Sequence, residues 1–327
     1  MRPGRRLAAA LVGVALALSG AACGAQERDD PQRATLLLDF TPNAVHAGIF
    51  RAAARGYDTR AGVKLRVRAP GASSDSVKLL AAGRADLAIL DIHDLALARE
   101  RGHDLVGVMA LVQRPLAAVI ARHEVRSPRL LEGRRAGVSG LPSDDAVLRS
   151  VVAGAGGNPR RVRTVTIGFN AVASLLSGRV DAATAFWNVE GVAVNRGRAR
   201  RGFHVFRVDA FGAPPYPELV LTVTRRTLRE RPELVRAART ALARGYRDAI
   251  EHPGAALNDL QRAAPGQDST LAKVQLTLLG PVFSLAGGRF GELDEGRLRA
   301  WAAWEARFGI TREPPDVRRM FVLSGAR

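Results

Sequence analysis

Four side chains near the start of the chain bring together chemistry that a plain structural turn does not need. Asp39, Phe40, Asn43 and His46 follow the apolar run Leu36-Leu37-Leu38 and precede a second apolar run with helical spacing. They offer a carboxylate, a ring face, an amide and an imidazole within eight residues. A strand that empties into a polar turn and then a helix delivers such groups to the carboxyl edge of a sheet, where open α/β sheets bind ligands. These four residues are therefore expected on one wall of a small-molecule site.

Further polar junctions follow the same plan. Gly71 to Ser76 is a turn of small polar residues ahead of a helix. Ser73 there is a candidate ligand contact, because free backbone N–H groups at a helix start suit a polar or anionic group. Asp91, His93 and Asp94 follow the strand Leu87–Leu90, and Asp91 is a candidate. The segment Phe186-Trp187-Asn188-Val189-Glu190 leaves another strand and adds two rings and an acid. Tyr216 sits in the stiff loop Pro214-Pro215-Tyr216-Pro217. Trp301 and Trp304, spaced i and i+3 on a helix near the end of the chain, read as core.

The elements that must position these groups alternate. Val63–Arg68 shows the apolar/polar rhythm of a half-buried strand. Val106–Val112 and Leu116–Ala121 are buried strands, and Ala136–Val138, Val162–Ile167, Ala183–Phe186, Phe203–Val208 and Leu219–Thr224 complete the set. Helices separate most of them, and from Arg226 onward the chain reads helical. Strand–helix alternation implies α/β layers with largely parallel sheets. The stretch Gly83-Arg84-Ala85-Asp86 is echoed by Gly178-Arg179-Val180-Asp181, each between a helix and a strand. Two similarly built lobes are expected, 34–121 plus 224–327 and 122–223. Crossings between them are expected near Ala121–Val125 and Val220–Arg225.

The chain has 327 residues, 47% of them hydrophobic, enough for a substantial core. Its formal charge is +18, carried almost entirely by arginine, since Lys64, Lys78 and Lys273 are its only lysines. The arginines are scattered, no basic helix with interleaved aromatics appears, and nucleic acid is not an expected partner. Arg2, Arg5 and Arg6 precede the apolar run Leu7–Leu18 and a small-residue stretch, the pattern of a secretory signal peptide over 1–22. Cys23 is the only cysteine, which rules out an internal disulfide. The residues before it resemble a bacterial lipobox, with Gly20 where leucine is usual. That resemblance implies lipidation of Cys23, a tether over 23–33, and a place outside the cytoplasmic membrane, anchored to its outer face.

The motif Leu38-Asp39-Phe40-Thr41-Pro42-Asn43 with His46-Ala47-Gly48, the serine turn, the Gly-Arg-Ala-Asp-Leu-Ala segment and Phe186–Glu190 together resemble one family. It is that of the ABC-transporter solute-binding proteins related to thiamine-pyrimidine precursor binding, within the wider SsuA-like superfamily. The resemblance implies a type II periplasmic-binding fold: two α/β lobes, a two-strand hinge, and closure on a ligand that is passed to a membrane permease. It implies no cofactor and a monomer. Phe40 and Phe186 would stack on a heteroaromatic ring, with Trp187 and Tyr216 as further rings, and Asp39 and Glu190 would receive its N–H groups. The branch usually has tryptophan where this chain has Phe40, so the heterocycle stays open. Riboflavin and alkanesulfonates are alternatives, the latter favouring the serine turns at Ser73–Ser76 and Ser139–Ser143.

Relatives that make the thiamine pyrimidine from pyridoxal phosphate form the competing, enzymatic class. Leu90 stands where their lysine would, Asp94 where their consumed histidine would, and no cysteine run occurs near Pro214–Leu219. A sensory or scaffold role for the same fold forms a third class. His46 and His93 with Asp39 and Asp91 match no compact metal spacing, and no metal is expected.

Overall fold

The computed structural model describes residues 30–71, 75–140, 142–196, 202–284 and 290–324. The expected signal peptide, Cys23 and Ser73 lie outside the described residues. Of the expected tether over 23–33, Gln32 and Arg33 instead open the first strand.

In chain order the first part runs β1 (Gln32–Leu37), α1 (Ala47–Ala54), α2 (Tyr57–Arg60), β2 (Val63–Arg68), α3 (Asp75–Ala81), β3 (Leu87–Asp91), α4 (Ile92–Glu100) and β4 (Leu105–Val112). The middle runs β5 (Ala117–Arg122), β6 (Arg135–Val138), α5 (Pro142–Gly154), β7 (Arg163–Thr166), α6 (Ala171–Leu176), β8 (Ala182–Phe186), α7 (Glu190–Arg196) and β9 (Phe203–Arg207). The last part is β10 (Leu219–Thr224), α8 (Arg225–Glu230), α9 (Pro232–Glu251), α10 (Pro253–Ala263), α11 (Ser269–Phe283), α12 (Glu295–Arg307) and α13 (Val317–Met320).

The strands form two five-stranded sheets, ordered β2-β1-β3-β10-β4 and β7-β6-β8-β5-β9. The two orders are the same pattern. In each sheet one strand runs against all the others, and it is the one contributed by a crossing: β10 against β3 and β4, β5 against β8 and β9. The lobe boundaries therefore differ from those read off the sequence. Residues 117–121 belong to the second sheet and 219–223 to the first. The crossings lie at Gln113–Leu116 and Val208–Glu218. Both strands are continuous apolar runs that fit either sheet, and only long-range pairing assigns them.

The Gly-Arg-x-Asp echo has a structural meaning. Gly83 and Gly178 take left-handed conformations, φ 68° and 73°, which end each helix at little steric cost. Each aspartate then grips the equivalent strand of its own sheet, β1 or β6. Thr35 N–H donates to Asp86 Oδ2 (2.8 Å) while Asp86 N–H donates to Thr35 O (3.1 Å). Arg135 N–H donates to Asp181 Oδ2 (3.0 Å) while Asp181 N–H donates to Arg135 O (2.8 Å).

Helices cover both faces of the first sheet, which is why its strands read as unbroken apolar runs. Leu36, Leu38, Leu87 and Ile89 face a core shared with α1, α9, α10 and α11. Leu37, Ala88 and Leu90 face one shared with α4 and α12, where Trp301 and Trp304 are buried as expected. α1 and α9 cross at glycine: a Cβ on Gly245 would lie 2.2 Å from the Gly48 carbonyl oxygen.

Candidate functional site

The carboxyl ends of both sheets open into one cleft, a concave place where α/β sheets commonly hold small molecules. The first sheet supplies Asp39 and Phe40 beyond β1, and Asp91 and Asp94 beyond β3. The second supplies Ser139 beyond β6, Asp144 in the first turn of α5, Phe169 between β7 and α6, Phe186 at the end of β8 and Glu190 beyond it. The equivalence of the two sheets thus becomes an equivalence of walls.

Asp39 is set by the turn that follows it. Asn43 caps that turn: its Oδ1 accepts Val45 N–H (2.9 Å) and its Nδ2 donates to Thr41 O (3.1 Å). His46 Nδ1 accepts Asn43 N–H (3.2 Å), which puts the ring proton on Nε2, facing Asp39 Oδ1 at 2.8 Å. Tyr246 holds the same turn through its hydroxyl, which donates to Val45 O (2.8 Å). Asn43 and His46 are buried and do not line the cleft. They position Asp39, so their expected place on the site wall is corrected. Phe40 lines the cleft and meets Phe169 of the opposite wall edge to face, centroids 4.7 Å apart.

Two expected rings lie elsewhere. Tyr216 is fully buried, its hydroxyl 3.2 Å from His93 Nε2 and its ring against Trp304. Trp187 donates from Nε1 to Pro115 O (3.0 Å) in the first crossing, and Arg207 lies 4.6 Å over its ring. Burial was the better use for both rings, because each carries a polar atom that finds a partner inside.

The cleft is acidic. Asp91, Asp94, Asp144 and Glu190 all line it with Asp39, and no lysine or arginine does among the described residues. Desolvation, first of all, raises the carboxyl pKa of Asp144 and Glu190, and raises those of Asp91 and Asp94 further. These acids also take up N–H groups that an anionic ligand would use. Asp91 caps α4 by accepting His93 N–H (2.7 Å), Asp144 accepts Ser139 N–H (2.7 Å), and Glu190 accepts Phe186 N–H (3.1 Å). Ser76, in the first serine turn, donates its hydroxyl to Leu38 O (2.6 Å).

Behind Asp91 lies a buried polar cluster. Desolvation alone would lower the His93 pKa, but Glu305, bonded to its Nδ1, and Asp91 push it up to about 10. The imidazolium donates from both nitrogens, to Glu305 and toward Tyr216. Asp91, His93 and Glu218 have the mutual spacing of a metal set, yet a protonated His93 has no lone pair to give. His46 is likewise engaged at both nitrogens.

Asp94, Asp144 and Phe169 also line the cleft and were not among the expected residues. The signal available for the two acids was their place just beyond a strand, at the start of a helix. Phe169 had no local signal at all.

The fold and its cleft are those of a two-lobed periplasmic binding protein. The periplasmic aliphatic sulphonate binding protein SsuA from Escherichia coli superposes with a TM-score of 0.71 at 13% identity, over 91% of this chain and 95% of that one. The NMT1/THI5 like family model matches residues 43–256, and the chain belongs to that family. A formylaminopyrimidine-binding protein of Halalkalibacterium halodurans is 32% identical over 69% of this chain and 68% of its own length. A 4-amino-5-hydroxymethyl-2-methylpyrimidine phosphate synthase of Legionella pneumophila is 25% identical over 77% of this chain and 80% of its own length. Among the described residues, no helix is long and apolar enough to cross a membrane.

Proposed function

We infer that this chain is the solute-binding component of an ABC importer, and that it closes on a small heteroaromatic ligand rich in N–H donors. The ligand is a thiamine pyrimidine precursor of the hydroxymethyl- or formylamino-pyrimidine type. The observation that carries this reading is the pairing of Phe40, Phe169 and Phe186 with five carboxylates in one cleft. A flat ring gains burial against aromatic faces, and carboxylates direct its amino and ring N–H groups. Asp39 and Glu190, on opposite walls, receive such donors. The relative named for binding formylaminopyrimidine supports the same ligand class.

An alkanesulfonate fits the chemistry poorly, since the cleft-facing N–H donors of Ser139, Phe186 and His93 already serve carboxylates. The synthase reading lacks its lysine, because the position is taken by Leu90, buried on β3. Cys23 would carry a lipid that holds the protein near a membrane permease, and the lobes would move about the two crossings as a monomer.

Thermal-shift measurement with 4-amino-5-hydroxymethyl-2-methylpyrimidine, riboflavin and taurine tests the ligand class. A ligand at a hundredfold its Kd adds about 2.7 kcal/mol to the folded state. Stabilisation by the aminopyrimidine is expected, and stabilisation by taurine alone overturns the reading.

A further inference from the structure

Folding gathers arginines that the chain scatters. The carboxyl ends of the second sheet face the cleft, and the opposite, amino edge of that sheet is basic. β6 begins there with Arg135 and β7 with Arg163, paired side by side in register. β5 runs against β8 and ends at the same edge with Arg122. The turn before β8 brings Arg179, and its Gly178 carbonyl oxygen accepts a hydrogen bond from Arg135 Nη2 (3.0 Å). Two short helical turns, Pro128–Leu131 and Pro159–Arg161, add Arg129, Arg160 and Arg161. The backbone binds these pieces together: Gly133 N–H donates to Arg161 O (2.8 Å) and Arg163 N–H to Arg134 O (2.9 Å).

The acids at this edge are already committed. Asp181 accepts Arg135 N–H, and its carboxylate lies 3.9 Å from Arg134 Nη1 and 4.0 Å from Arg135 Nε. Glu132 accepts Asn158 N–H (2.9 Å) and pairs with Arg161 (3.0 Å). Glu124 pairs with Arg122 (3.6 Å). Arg126, Arg129, Arg160, Arg163 and Arg179 are exposed, and among the described residues none of them has a carboxylate within ion-pair reach. Like charges held this close raise the local potential, which an anionic partner relieves. Two large apolar side chains stand exposed on the same segments, Leu130 (44%) in the first helical turn and Leu176 (52%) at the end of α6. Arginines with leucines suit the headgroup layer of an anionic membrane, where the cations meet phosphate and the apolar groups reach the acyl boundary. A nucleic acid would call for stacking rings among the arginines, and the exposed apolar side chains here are aliphatic.

We propose that the amino edge of the second sheet is a docking surface for the headgroups of anionic phospholipids. The cleft lies at the other end of the same strands, so a membrane held at this edge leaves the cleft open to solvent. A lipid on Cys23 would keep such a membrane within reach, but the surface depends neither on that lipid nor on the ligand class.

Vesicle co-sedimentation tests this with the full chain carrying Cys23→Ala, so that no attached lipid contributes. The vesicles are phosphatidylcholine alone or an equal mixture with phosphatidylglycerol. At low salt, binding to the anionic vesicles is expected to exceed binding to the neutral ones by about tenfold or more, and to fade as salt screens the charges. Arg160→Gln with Arg163→Gln is expected to cut that preference by about tenfold. Arg126→Gln with Arg179→Gln, at the same edge, is expected to do the same. Arg33→Gln with Arg66→Gln removes equal charge from exposed positions on the first sheet and is expected to change the preference by less than about twofold. An equal loss in all three pairs would show that overall charge, rather than this edge, attracts the membrane, and overturns the proposal, as does the absence of any anionic preference. Single-stranded DNA bound more tightly than the anionic vesicles, and released by the same edge substitutions, also overturns it and reassigns the edge to nucleic acid.

Discussion

Phe40 and Phe169 meet edge to face, ring centroids 4.7 Å apart, one from each wall of the cleft. Phe169 is 47% exposed, so the contact with Phe40 holds a large apolar ring at the surface. Such a pair contributes about 0.5–1.5 kcal/mol beyond area burial. Phe169→Ala is expected to speed ligand release by about two- to tenfold with little change in association. Stopped-flow displacement measures it. An unchanged off-rate would show that the pair does not guard the bound ligand.

His46 acts on the site through Asp39. His46→Ala removes the acceptor for Asn43 N–H and the donor to Asp39. Leaving such buried groups unmatched costs about 1–3 kcal/mol of stability. Urea denaturation is expected to show that loss, and calorimetry a weaker aminopyrimidine affinity because Asp39 is no longer held. Full affinity in a destabilised variant would confine His46 to a role in folding.

The His93–Glu305 pair makes stability depend on pH on the alkaline side. The folded-state pKa of His93, about 10, lies above its ordinary value of 6.5. Its contribution is complete below 6.5 and is lost as pH rises through 10. Burial of Asp91 and Asp94, whose pKa values are also raised, acts in the same sense. Unfolding free energy is expected to fall between pH 6.5 and 10, and the double variant His93→Gln, Glu305→Gln to flatten much of that slope. Removing Glu305 alone leaves a buried charge and costs about 3–5 kcal/mol. A wild-type profile flat across this window would contradict the buried imidazolium.

The α1–α9 crossing depends on two glycines. A Cβ at Gly245 would sit 2.2 Å from a backbone oxygen that cannot swing aside, and Gly245→Ala is expected to cost about 1–3 kcal/mol. Gly280, also within a helix, has nothing within 4 Å of its would-be Cβ, and Gly280→Ala is expected to be neutral or stabilising by up to about 1 kcal/mol. Thermal denaturation of the two variants separates the cases, and a stable Gly245→Ala protein would mean that the helices can move apart freely.

Much of this protein was determined locally. The period of two in Val63–Arg68, the apolar runs and the glycine that ends each helix placed most strands and helices. A side chain at or just beyond a strand end reaches the sheet edge for a local reason, so the place of Asp39, Phe40, Asp91, Phe186 and Glu190 on the cleft wall was legible in the sequence. The Gly-Arg-x-Asp echo likewise announced two equivalent sheets.

Tertiary structure decided what lies behind each turn. Whether an imidazole or a phenol faces ligand or core depends on the element packed against it: Tyr246 and the Asn43 cap turn His46 inward, and Trp304 and His93 enclose Tyr216. Pairing partners of β5 and β10 fixed the crossings, because backbone hydrogen bonds between distant strands leave no mark on composition. The acidity of the cleft is tertiary as well: Asp94, Asp144 and Glu190 are far apart in the chain, and only folding buries their carboxyl groups around one cleft.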